Sequence, residues 1–335
     1  IVTDEETGKQ VFVESRDVGR AIQGDRVTVA YRPGDRSDPV GVIRSIDEEA
    51  VRDVVGTVRR VGGGGLSISP LNPIYRSDFT VVGDPKGARP GDRVVVRMRR
   101  NGEGRDERLE AEILEVIGPE DKPSLDTVAI MRQYELPEEF PREVVAEAEQ
   151  VATLLHEPGE RLDLRDRFIL TIDPATARDF DDAISLEHDD QGRRVLGVHI
   201  ADVSHFVRPG SALDREAYKR GTSVYLIDKV VPMLPEQLSN SVCSLMPGED
   251  RLAFSVFITY DKQARAVDVR FAKSVIRSKQ RLAYEEAIAL LEGRPTEIAC
   301  GPLDPRTQPM LRETLELTRQ LKKIRERNAA LEMAS

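Results

Sequence analysis

The chain has 335 residues, more than one ordinary core holds, so two or three domains are expected. Its 39% apolar content excludes a disordered polymer, and no apolar run is long enough to cross a bilayer, so no membrane partner is expected. The formal charge of −10 does not exclude a nucleic-acid partner, because binding depends on where the cations lie and a divalent-metal site is itself acidic.

The chain opens at Ile1 rather than Met and closes on Ala334-Ser335, just past a helical pattern. Both ends are therefore expected to be cut ends of a longer protein. The first third reads as β-structure. Short β-branched runs at 10–13, 27–30, 54–58, 94–96 and 113–117 are separated by Gly, Pro and Asp, as in small antiparallel barrels. An internal echo supports this: Gly24-Asp25-Arg26-Val27 and Gly91-Asp92-Arg93-Val94 each open a Val-rich strand after a small-residue turn (residues 19–21 and 87–89). Tandem five-stranded, OB-like barrels are expected, a partial one over 1–48 and a second over 49–122. Their alternative role is that of a structural spacer. Trp is absent and aromatics are scarce, which leaves few stacking platforms. Arg59, Arg60, Arg97, Arg99 and Arg100 either meet phosphates or form a solvated face.

Residues 123–165 read as a connecting helical segment. From 137 to about 155 the residues Val144, Val145, Ala148, Val151, Ala152 and Leu155 share one helical face. A mixed α/β stretch follows from 166. The last predicted element, 310–331, is a charged amphipathic helix with a solvated polar face. The two cysteines, Cys243 and Cys300, share no metal-ligand spacing, and no signal peptide is evident, which points to a reducing cytoplasm. Cys243 reads as a small buried residue, and His199 and His205, in a strand-like run, as packed or hydrogen-bonded side chains.

The informative segment is 171–183, TIDPATARDFDDA, which places four aspartates in ten residues between strand-like runs at 168–172 and 183–186. Along an extended chain Asp179 and Asp181 project to one side and Asp182 to the other, while a turn near Pro174 returns Asp173 toward them. Like charges so close repel unless protons or a cation neutralise them. A hard divalent cation held by oxygen ligands is the natural partner, and Mg²⁺ suits carboxylates, water and substrate phosphate. Two such ions about 4 Å apart activate water and stabilise a leaving oxygen in phosphodiester hydrolysis. The alternatives are an Asp-rich surface turn or a calcium loop, although the glycine and terminal glutamate of an EF-hand are missing. Arg178, beside the aspartates, either contacts phosphate or forms a salt bridge to one of them.

The segment resembles the signature of the RNB catalytic domain of the RNase II/RNase R family. The resemblance continues in order through VHIADVSHFV (198–207), RGTSVY (220–225), PMLPEQLSN (232–240), CSL (243–245), DRL (250–252) and RLAYEEA (281–287). The preceding barrels resemble the family's tandem cold-shock domains. The resemblance implies an α+β multidomain chain in which tandem OB-like cold-shock barrels precede the N-terminal part of a mixed α/β RNB domain (166–335). It implies a processive, hydrolytic 3′→5′ exoribonuclease that releases nucleoside 5′-monophosphates from single-stranded RNA with Mg²⁺, or Mn²⁺ in its place. Asp173, Asp179 and Asp182 match the family's metal-binding aspartates, and Asp181 the one most closely tied to catalysis. Tyr225 matches the tyrosine that packs on the 3′-terminal base. The family's catalytic arginine and S1 domain are expected beyond Ser335. Association with that C-terminal part is expected, and so is the alternative that the chain by itself binds RNA without cutting it.

Overall fold

A computed structural model describes residues 1–14, 16–18, 21, 24–32, 39–48, 53–75, 77–101, 108–153 and 159–328. The chain divides into two compact units, Ile1–Pro137 with Leu226–Lys229 and Glu138–Tyr225 with Val230–Ser335.

In the first unit, β1 (Val2–Thr3), β2 (Gln10–Val13), β3 (Arg26–Arg32) and β4 (Val40–Glu48) form a sheet of order β1-β2-β4-β3. The next five strands, β5 (Asp53–Arg60), β6 (Leu66–Pro70), β7 (Phe79–Val82), β8 (Asp92–Asn101) and β9 (Arg108–Pro119), close into a barrel, β5-β6-β7-β9-β8. The two sheets share one connectivity. The antiparallel β1–β2 pair repeats β6–β7, parallel β2–β4 repeats β7–β9, and antiparallel β3–β4 repeats β8–β9. Among the described residues, no strand of the first sheet corresponds to β5. The expected tandem pair is thus one closed barrel and one open sheet. A cavity of about 960 Å³ borders Val11, Val13, Val27, Val29 and Ile43 of that sheet.

The sequence echo has a backbone cause. Gly24 and Gly91 hold φ of +97° and +94° where the chain turns into β3 and β8, a region that side chains rarely enter. Residues 19 and 20 of the predicted turn lie outside the described residues. The barrel interior is built from alternate strand residues, Val54, Val58, Ile68, Phe79, Val94, Val96 and Met98. Val55 and Val95 point outward, and α1 (Asp126–Gln133) covers them with Ala129, which is why β5 reads as a continuous apolar run.

The second unit is built on a seven-stranded sheet. After α2 (Arg142–Thr153) come β10 (Leu162–Asp163), β11 (Leu170–Asp173), β12 (Asp182–His188), β13 (Arg194–Ala201), α3 (Val203–Phe206) and α4 (Ala212–Arg220). The small hairpin of β14 (Val224–Tyr225) and β15 (Val230–Val231) precedes the long strands β16 (Asp250–Tyr260) and β17 (Ala266–Arg277). Then β18 (Gln280–Ala283), α5 (Tyr284–Glu292) and α6 (Thr307–Arg327) complete the unit. The strand order is β10-β17-β16-β13-β12-β11-β18, with an antiparallel centre and a parallel partner at each edge.

Helices α2 to α4 cover one face, where Val144, Ala148, Phe180, Ala183, Ala201, Phe206 and Leu213 are buried together. On the other face, α5 and α6 bury Leu282, Leu290, Leu311 and Leu317. The predicted connecting segment is divided between the units: α1 packs on the barrel and α2 in the second core. Leu155 of the predicted helical face and the end of the predicted last helix, 329–331, lie outside the described residues. The run 198–207 is not one strand. Asp202 ends β13, its carboxylate taken by Arg161 and Ser204, and His205 falls on α3.

Candidate active site

The four aspartates stand where two neighbouring strands of the second unit meet. Asp173 is the last residue of β11, and Asp182 is the first of β12, directly opposite Ile200 of β13. Residues 174–181 form the loop between them, and it carries Asp179 and Asp181. The predicted turn at Pro174 is present, with the Ala177 N–H donating to the Pro174 carbonyl at 3.0 Å. Strand pairing begins at Asp182, and the Ala201 N–H donates to the Asp181 carbonyl just before it. Antiparallel pairing of β11 with β12 draws the chain back on itself, so Asp173 and Asp182 end up at the same end of the sheet.

Two side chains from distant segments hold this loop. Ser244, fully buried, accepts from the Phe180 N–H at 3.1 Å and donates to the Arg178 carbonyl at 2.8 Å. Arg281, on β18, donates to the carbonyls of Pro174, Ala175 and Ala177 and lies 4.9 Å over the Phe180 ring. Neither role was visible in the sequence. Both residues lie in stretches that carried the family resemblance, but no local spacing links them to a loop 64 or more residues away.

The electrostatics record an excess of negative charge. Burial, then Asp182, pushes the Asp173 carboxyl up to about 6, against the nearby Arg281, with Asp179 and Asp181 adding to the rise. Asp181 is raised as well, by desolvation and then by Asp179 and Asp182. Asp173 Oδ2 is buried and lacks a hydrogen-bond partner, an acceptor that costs free energy unless a donor or cation meets it. Donor type, crowding and this orphaned oxygen all fit a hard divalent cation. Among the described residues, no three His, Cys, Asp or Glu side chains already stand close enough to share one ion.

Tyr225 is brought to the loop. Its hydroxyl donates to Asp179 Oδ2 at 3.2 Å, while 68% of the residue stays exposed, leaving its ring face accessible. The guanidinium of Arg178 is exposed and, among the described residues, forms no ion pair with an aspartate; the cation that bears on Asp173 is Arg281. Cys243 is buried, and burial followed by the Asp181 charge pushes its thiol up to about 12, so it is an inert packing residue. His199 is also structural, hydrogen-bonded to Ser185 and Ser255. In the barrel, Arg59, Arg97 and Arg99 are paired with Glu120, Asp53 and Glu112, so three of the predicted phosphate contacts are already neutralised within the fold. Arg60 is exposed, and the side chain of Arg100 lies outside the described residues.

A barrel followed by a mixed sheet that carries an aspartate loop is the architecture of a cold-shock barrel joined to an RNB domain. Residues 161–335 match the family described as RNB domain, and residues 68–141 the family described as Cold shock domain. The chain belongs to the RNase II/RNase R family. It is similar to ribonuclease R of Thermotoga maritima, 38% identical over 337 residues, which cover 99% of this chain and 46% of that protein. Ribonuclease R of Acidithiobacillus ferrooxidans is 35% identical over 332 residues, covering 97% of this chain and 74% of that protein. The structure of Mycoplasma genitalium RNase R in complex with ribose-methylated single-stranded RNA matches with a TM-score of 0.75 at 25% identity, over 96% of this chain and 51% of that one. The chain spans about half the length of the curated relatives it matches.

Proposed function

We propose that the chain belongs to a hydrolytic 3′→5′ exoribonuclease that degrades single-stranded RNA processively to nucleoside 5′-monophosphates, and that it supplies the metal-binding carboxylates. The observation that carries this reading is Asp173. Its buried, partnerless Oδ2 and raised carboxyl lie beside three more aspartates, in a segment that matches the RNB domain.

Asp173, Asp179 and Asp182 would hold Mg²⁺, or Mn²⁺ in its place. Bound there, the metal supplies charge to the scissile phosphate and lowers the pKa of a water molecule. Asp181 is held by backbone on both sides: the Ala201 N–H donates to its carbonyl at 2.9 Å, and Phe180 before it is pinned by Ser244. A carboxylate fixed in this way can accept a proton from water or orient the substrate. Tyr225 offers an exposed ring to the 3′-terminal base, and stacking tolerates any base, as degradation without sequence preference requires. Its hydroxyl on Asp179 ties the base platform to the carboxylate loop. Exposed Arg178 is free to meet a phosphate. Both cysteines are free, the usage of a reducing compartment, and on that ground we place the protein in the cytoplasm.

In the full-length protein, Asp181→Asn is expected to lower turnover at least about 100-fold with little change in RNA affinity. Wild-type turnover in that variant would remove Asp181 from catalysis. The second reading is an RNA-binding piece that does not cut by itself. It is favoured by the absence, among the described residues, of three donors already gathered for one ion. Filter binding over a salt series tests it, because phosphate-dominated binding weakens steeply with salt. No binding at low salt would rule it out.

A further inference from the structure

The loop of residues 174–181 bears two of the four carboxylates, yet its only internal backbone hydrogen bond is the turn from Ala177 to Pro174. Everything else that fixes it comes from outside. On one side stands Ser244. On the other is Arg281, brought by parallel pairing of β18 with β11 that sets it beside Thr171, two residues before Asp173 and on the same face. One nitrogen, Arg281 Nη2, lies 3.4 Å from the Pro174 carbonyl, 2.9 Å from that of Ala175 and 3.5 Å from that of Ala177. Nη1 reaches Cys300 Sγ at 3.2 Å, and the guanidinium plane lies over Phe180, a residue only 2% exposed. Three buried polar atoms on these two strands, Thr171 Oγ1, Asp173 Oδ2 and Arg281 Nε, have no hydrogen-bond partner among the described residues.

We propose that Arg281 is a positioning residue for the acidic loop. By gripping three carbonyls and the Phe180 face, it sets where Asp173 and Asp179 stand to receive a divalent cation and where Asp181 stands beside them, and it touches neither RNA nor the ion. A rigid guanidinium fork can serve several carbonyls and an aromatic face at once, whereas an ammonium cannot. The inference rests on the reading of the loop as a divalent-metal site, and charge alone makes the opposite prediction. Arg281 is a cation close to the carboxylates, so if its only effect were electrostatic, removing it would tighten the binding of another cation.

The test titrates Mn²⁺ into the full-length protein and follows free Mn²⁺ by its paramagnetic resonance signal, for wild type, Arg281→Lys, Arg281→Gln and Asp173→Asn. Amide hydrogen exchange across 174–182 is measured on the same samples without metal. The expected result is a loss of Mn²⁺ affinity of about tenfold or more in both Arg281 variants, the scale found when a partner that orients metal ligands is removed. Faster exchange at Ala177 and Phe180 is expected alongside it. Equal or tighter Mn²⁺ binding by Arg281→Gln, with unchanged exchange, would overturn the proposal. Arg281→Lys keeps the charge, so full affinity in that variant would reduce Arg281 to a counter-ion and overturn it too. If the wild type binds no Mn²⁺, or Asp173→Asn binds as well as the wild type, the metal reading fails by itself. The exchange rates then decide whether Arg281 orders the loop. Should Arg281→Gln fail to fold, the charge-preserving Lys variant carries both measurements.

Discussion

Asp173 combines burial, like-charged neighbours and an oxygen without a partner among the described residues, and each would bear on the cation proposed to bind there. With its carboxyl raised to about 6, it is largely protonated at pH 5 and ionised at pH 7.5. Protons and metal therefore compete for it, so Mn²⁺ affinity is expected to fall as pH drops between those values. Calorimetric titration at the two pH values checks this, and a pH-independent affinity would show that Asp173 is no ligand. Tyr225 makes two separable contributions, a ring face and a hydroxyl. Tyr225→Ala is expected to weaken binding of a short RNA by about 1–3 kcal/mol, the worth of one base stack, whereas Tyr225→Phe should retain it. Equal losses in both variants, read by fluorescence anisotropy, would transfer the effect to the Asp179 hydrogen bond. The aspartates stood out in the sequence by their spacing and Tyr225 through the family resemblance, and the fold brings Tyr225 to the aspartate loop. Arg281 and Ser244 did not stand out, since they act through backbone carbonyls and amides that only the folded sheet brings within reach.

At the scale of elements, the central sheet is crossed by a directional chain of buried hydrogen bonds. Ser274 donates to the Ala253 carbonyl at 3.3 Å, so the Ser255–Ser274 bond of 2.6 Å runs from Ser255 to Ser274. Ser255 then accepts from His199 Nδ1–H at 2.7 Å, and Ser185 donates to Nε2 at 3.0 Å. This arrangement needs a neutral imidazole, and burial holds the His199 pKa down at about 4. A depressed histidine stabilises the fold above its unfolded pKa of about 6.5 and loses that contribution as pH falls toward about 4. Denaturant midpoints are therefore expected to decline over that window, and to decline less in His199→Gln; parallel curves for the two proteins would contradict this. Gly197 completes the device, because a Cβ there would sit 2.3 Å from Ser185 Oγ and 2.9 Å from His199 Nε2.

Strand positions were readable wherever β-branched residues alternate or cluster, as in β2, β5 and β8. Partners were not readable. β18 pairs with β11 across more than a hundred residues, and no local pattern encodes that register. The bend after Ala201 was hidden for a related reason. Residues 198–207 are apolar enough for a strand, and only the tertiary pairing of Asp202 with Arg161 marks the break.

At the scale of the whole molecule, the chain divides into a unit that holds the barrel and a unit built on the seven-stranded sheet. The repeated Gly-Asp-Arg-Val motif announced two related β-units, and the strand correspondence of β1–β4 with β6–β9 bears this out at the level of connectivity. What the repeat could not announce is that, among the described residues, only the second of these β-units, β5–β9, closes. Three of the barrel's arginines, Arg59, Arg97 and Arg99, are engaged by its own carboxylates, and exposed pairs of this kind contribute at most about 1 kcal/mol each. Under the proposed reading, they can exchange a carboxylate for an RNA phosphate at little cost.

As proposed, the aspartates of 173–182 serve magnesium-dependent removal of nucleotides from an RNA 3′ end. The most direct measurement incubates the full-length protein with 5′-labelled single-stranded RNA, in Mg²⁺ or in EDTA, and resolves the products by length. The expected result is a ladder that shortens from the 3′ end in Mg²⁺ and intact RNA in EDTA. Cleavage that persists in EDTA, or that begins at internal positions, would contradict it.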